Sequence, residues 1–116
     1  MEKAKEALPH AQIPQSVTHT VSGDSVIAVL KGEIDHHRAG ALRGELDELI
    51  RRTHPQKLYL DMRQIDFCDS SGLGLIMGRY ALLSRLGGEL IVFKPSGVVA
   101  RMLSLAGMER LIRIET

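Results

Sequence analysis

The sequence predicts an α/β fold, a single domain with a mixed sheet of about five strands and helices packed against it. Three observations point there. The chain has 116 residues, enough for one domain with a real core and too few for two. Short β-rich apolar runs alternate with segments whose leucines recur at helical spacing. The resulting order, ββαβαβαβ, puts helices between successive strands, and right-handed crossovers turn that order into a sheet with parallel neighbours.

The first element is no element. Residues 1–15 hold two prolines and a polar majority without a sustained period, the pattern of a flexible lead to a domain over 16–116. Val17–Val21 predicts a first strand, and Ser22-Gly23-Asp24-Ser25 the turn of a hairpin. Val26–Lys31 is a nearly unbroken apolar run, as an interior strand requires. Leu42, Leu46, Leu49 and Ile50 fall at i, i+4, i+7 and i+8. They predict an amphipathic helix from Ala39 to Arg52, with Asp47–Arg51 and Glu48–Arg52 pairs on its solvent side. Thr53-His54-Pro55 ends it, because the residue before proline avoids the α region. Lys57–Asp61 reads as a third strand, and a second helix runs from Ser70 to Leu86, closed by Gly87-Gly88. Glu89–Lys94 is a fourth strand. Ser96 caps a third helix that reaches Leu105 and is closed by Gly107, and Leu111–Ile114 is a last short strand.

Composition removes several function classes. Fifteen Lys and Arg against fourteen Asp and Glu leave a net charge of +1, and no basic block tracks a nucleic-acid backbone. The aromatics are Tyr59, Phe67, Tyr80 and Phe93, too few for a base-stacking platform. No apolar run approaches the ~18 residues of a membrane span, and the start lacks a signal-peptide apolar region. The lone cysteine, Cys68, cannot build an internal disulfide framework, which points to a reducing cytoplasm.

The chemically informative stretch is Asp66–Tyr80, which joins the third strand to the second helix. Asp69, Ser70 and Ser71 sit where that helix begins, among free backbone N–H groups at the positive end of the macrodipole. Asp and Ser cap helices anywhere. A serine there is also held at the surface, where the helix start tolerates a phosphate. Both readings stand on the residues alone. Gly72-x-Gly74 resembles a dinucleotide fingerprint, but Met77 occupies the third glycine position and Gly78 comes one residue late. A small nucleotide-binding α/β protein using the Gly72–Gly78 loop is therefore the alternative. Otherwise Gly74 and Gly78, at i and i+4, let another backbone approach the helix. Leu73, Ile76, Met77, Tyr80 and Leu83 form its core stripe, and Leu75, Leu82 and Leu86 a second one. Burial on both sides is the expected fate of Leu86, a partner patch the competing one.

Other candidates carry less. His36 and His37 beside Glu33 and Asp35 would point to opposite faces of a strand, so no metal site is expected. Cys68 precedes the acidic Asp69, which disfavours a thiolate and leaves a small buried side chain. Asp61, Asp66 and Asp69 contain no acid–base partner, since Asp61 and Asp66 flank a turn. No nucleophile–base pair is present, so neither an enzyme nor a cofactor is expected.

Three blocks end the anonymity: Gly32–Ala39 (GEIDHHRA), Phe67–Tyr80 (FCDSSGLGLIMGRY) and Ser96–Gly107 running into Leu111–Glu115. Over about residues 16–115 the chain resembles the STAS-domain anti-sigma factor antagonists, most closely their sporulation branch. The resemblance implies a switch. The unphosphorylated antagonist binds an anti-sigma factor that is itself a serine kinase, and the sigma factor is released. Phosphorylation of the antagonist ends the binding, and a serine phosphatase restores it. Carried over, Ser70 is the phosphoacceptor and Ser71 the second choice. The partner surface comprises Asp35, His36, His37 and Arg38 with Asp69, Ser70, Ser71, Gly72, Leu73 and Leu75. Both segments follow strands, and ligands of parallel sheets gather at strand carboxyl ends. A general-stress antagonist of the same family is the nearest variant. The regulatory piece of an anion transporter is a more distant one, opposed by the lack of a membrane segment.

Overall fold

Each strand of the sheet lies beside its neighbour in sequence, in the order β1-β2-β3-β4-β5. A computed structural model describes residues 17–116; the lead expected over 1–15 lies outside the described residues. The elements are β1 (Val17–Ser22), β2 (Ser25–Ile34), α1 (His36–Thr53), β3 (Lys57–Cys68) and α2 (Ser70–Arg85), then β4 (Glu89–Phe93), α3 (Gly97–Leu105) and β5 (Arg113–Glu115). Met108–Arg110 forms a 3-10 turn before β5. Strands β1 and β2 are antiparallel, and every later pairing is parallel. The mixed five-stranded sheet is the one the alternating pattern predicts.

One core holds the layers together. Val26, Ala28, Leu30 and Ile34 of β2 and Leu58, Leu60, Met62 and Ile65 of β3 are buried in it. Helix α1 adds Leu42, Leu46, Leu49 and Ile50, the residues its spacing singled out. Helix α2 adds Leu75, Ile76 and Leu83, and α3 adds Val99 and Leu103. Among the described residues, no helix is long and apolar enough to cross a membrane.

Several boundaries differ from expectation, each for a local reason. Helix α1 begins at His36, a turn before Ala39. Asp35 is extended, and its side chain accepts from the Arg38 N–H, so it caps the helix ahead of the apolar period. His36, His37 and Arg38 are thus a first helical turn, neither loop nor strand. Strand β3 continues past Asp61 to Cys68, so Asp61 and Asp66 share a strand and flank no turn. Its twelve residues pair with ten of β2 through register shifts at Val29/Lys31 and Gly32/Glu33, two bulges in one ladder. Gly32 supplies the left-handed φ of 85° at the second.

The helix surfaces also differ. Asp47 pairs with Arg79 of α2 rather than with Arg51, while Glu48 takes Arg51 and, at 3.9 Å, Arg52. A Cβ at Gly74 or Gly78 would meet nothing within 4 Å, so no backbone approaches there. The close approach is at Gly72, where a Cβ would lie 2.2 Å from Cys68 Sγ. Leu75 turns inward at 4% exposure, Leu73, Met77 and Tyr80 are half-buried, and Leu86 is 51% exposed, not buried. Leu86 is the residue at which α2 ends, as its C-cap.

Candidate functional site

Strands β2 and β3 run parallel and finish together, with Ile34 paired to Cys68. Each chain then turns through one aspartate into a helix. Asp35 Oδ1 accepts from Arg38 N at 2.9 Å, and Asp69 Oδ1 accepts from Ser71 N at 2.8 Å. Asp69 N donates to the Ile34 carbonyl at 3.2 Å, which ties the two turns to each other. Arg38 Nη1 donates to the carbonyls of Lys31, at 3.0 Å, and of Glu33, bracing the first turn of α1 on the bulged end of β2. Two helix starts, each carrying free N–H groups and positive dipole ends, therefore lie side by side at the sheet's carboxyl edge.

The two serines differ in what their hydroxyls do. Ser71 is half-buried and its hydroxyl donates to Asp69 Oδ1. Ser70 opens α2 exposed, and no described residue hydrogen-bonds its hydroxyl. The cap belongs to Asp69, so capping does not account for Ser70. The Ser71 hydroxyl, with backbone N–H groups, holds the Asp69 carboxyl below the usual carboxylate range. Burial, aided by Asp69, pushes the Cys68 thiol up to about 11, so it stays protonated near neutral pH. Among the described residues no base hydrogen-bonds the Ser70 hydroxyl, so none of them activates it as a nucleophile. Among the described residues, no three His, Cys, Asp or Glu side chains gather to hold a metal ion. Gly72 and Gly74 sit inside α2 rather than ahead of it, so they form no loop that could cradle a nucleotide's phosphates.

The expected surface residues divide. Ser70, His36 and His37 are exposed, and Asp35, Arg38, Asp69, Ser71 and Leu73 are half-buried around them. Gly72 and Leu75 are buried, Leu75 on the wall of a groove between α1 and α2. Next to Cys68 the sequence reading missed an apolar flank. Val98 and Leu105 of α3 are 43% and 78% exposed, and Phe67 is 47% exposed. Val98, Met102 and Leu105 share an open groove of about 500 Å³ with Cys68. Their i, i+4, i+7 spacing beside the buried Val99 and Leu103 was the available signal.

Residues 15–116 match the STAS domain family. The anti-sigma F factor antagonist of Paenibacillus polymyxa is 38% identical over 89 residues, 77% of this chain and 76% of its own length. The solved anti-sigma factor antagonist SpoIIAA in its unphosphorylated form is similar at a TM-score of 0.72 and 27% identity, over 86% of this chain and 88% of that one. The phosphorylated form of SpoIIAA, the Bacillus cell fate determinant, is similar at 0.67 and 26%, over 86% and 91%. The mixed sheet, the capped helix start after β3 and these likenesses converge: the chain belongs to the STAS domain family, among its anti-sigma factor antagonists.

Proposed function

We propose that the chain is a cytoplasmic, non-catalytic switch that binds an anti-sigma factor through the paired starts of α1 and α2, freeing the sigma factor. The partner is itself a serine kinase. It transfers a phosphoryl group from ATP to Ser70 Oγ, the hydroxyl proton is lost, ADP leaves, and binding ends. A serine phosphatase hydrolyses the ester and returns the binding form. The observation that carries this reading is the division of labour at Asp69-Ser70-Ser71. Asp69 caps and Ser71 is bound to it, which leaves Ser70 exposed with an unengaged hydroxyl.

The test is incubation of the purified chain with its cognate anti-sigma kinase and ATP, followed by intact mass and peptide mapping. One phosphate should map to Ser70, Ser70→Ala should abolish it, and Ser71→Ala should slow the reaction without stopping it. Phosphate on Ser71, or full modification of Ser70→Ala, would sink the assignment.

A further inference from the structure

Along the seam between α1 and α2 runs an open groove of about 430 Å³, lined by Arg43 and Arg79, by His36 and Ser71 at the helix starts, and by Gly40 and Gly74. Ser70 does not line it, and Arg43 and Arg79 have no part in the switch proposed above, although His36 and Ser71 set the mouth of the groove beside its helix starts. Arg79 is only 7% exposed. Its Nε lies 2.9 Å from Asp47 Oδ1, an ion pair too bent to form a hydrogen bond. Its Nη1 is buried without any hydrogen-bond partner among the described residues. A buried guanidinium with donors unspent is costly unless something else meets it. Arg43 is exposed on the same groove and has no ion pair among the described residues. Two cations thus face one carboxylate, Asp47, itself partly in water. Burial lowers the Arg79 pKa, Asp47 opposes that effect, and Arg43 adds to it.

The glycines keep this groove open. Glycine is the poorest helix former after proline, yet at Gly40 and Gly74 an added Cβ would meet nothing within 4 Å. Packing demands a glycine at neither position. A larger side chain at either would grow into the space beside the arginines.

We propose that this groove is a binding site for an oxyanion, a carboxylate or phosphate group, held by Arg43 and Arg79. Guanidinium forks match both groups in shape and charge. The missing counter-charge is a single anion, and an open groove of about 430 Å³ leaves room for one carried on a larger molecule.

The test uses the full, isotopically labelled chain, titrated with inorganic phosphate and separately with acetate at constant ionic strength, followed by nitrogen–proton NMR. The Arg79 Nε–H signal and the Gly40 and Gly74 amides should move saturably with at least one anion, and the responding anion identifies the group. Arg43→Ala, at an exposed position, should weaken that binding about tenfold. Gly74→Leu should abolish it, while Gly74→Ala keeps both binding and fold. If Gly74→Leu does not fold, Arg43→Ala carries the test alone. Absence of saturable shifts with either anion overturns the site, as do shifts unchanged in Arg43→Ala. Neither outcome touches the Ser70 switch, which is read by phosphorylation.

Discussion

Asp69 stands one residue from Ser70 and does the capping that Ser70 would otherwise share. Its lowered carboxyl pKa makes that cap pH-dependent. A carboxyl whose folded pKa is depressed stabilises the fold above its unfolded value, near 4, and that contribution disappears as pH falls through the folded value. Asp69→Asn should therefore flatten the acid limb of a stability–pH profile measured by chemical denaturation. At Gly72 the tight contact with Cys68 Sγ predicts that Gly72→Ala costs about 1–3 kcal/mol by overpacking. Gly74→Ala meets open space and should gain up to about 1 kcal/mol from helix propensity. Urea midpoints of the two variants should move in opposite directions. The Asp-Ser-Ser-Gly block was legible in the sequence, but the roles within it were not. Which aspartate caps, which hydroxyl is engaged and which glycine is crowded depend on how β3 ends against Ile34, a contact 34 positions away along the chain.

The elements themselves followed from periodicity, and their edges did not. The apolar period of helix α1 starts only at Leu42, and its first turn, His36-His37-Arg38, carries no apolar signal. The aspartate before it is a cap signal in its own right, and it marks the true start. The strand pattern of β3 breaks off after Asp61 because Arg63 and Gln64 are successive exposed residues; they lie at the first register shift, where a bulge breaks the alternation that identifies a strand. No local pattern announces the Asp47–Arg79 pair, which joins α1 to α2 across 32 positions. Removing one member of a buried pair costs about 3–5 kcal/mol. Asp47 keeps part of its surface in water, so Arg79→Ala should cost roughly 2–3 kcal/mol in urea denaturation.

For the whole molecule, the proposed phosphorylation of Ser70 would change charge more than shape. Adding about −1.5 to −2 takes the chain from +1 to roughly −1. The new charge sits at the start of α2, where the helix dipole and free N–H groups favour an anion. The fold should therefore hold, and on the proposed switch inhibition arises across the interface, where the proposed kinase partner would present the phosphates of ATP to Ser70. Like charges brought together there cost several kcal/mol. Ser70→Asp should accordingly bind the anti-sigma factor poorly while keeping a native circular-dichroism spectrum and a nearly unchanged melting temperature.

The most direct measurement is the affinity of the anti-sigma factor for the chain phosphorylated on Ser70 and for the unmodified chain, taken by calorimetry on samples whose circular dichroism is recorded alongside. An electrostatic switch predicts a loss of about a hundredfold or more on phosphorylation, with identical spectra. Equal affinities, or a loss that comes with melting of α2, would contradict it.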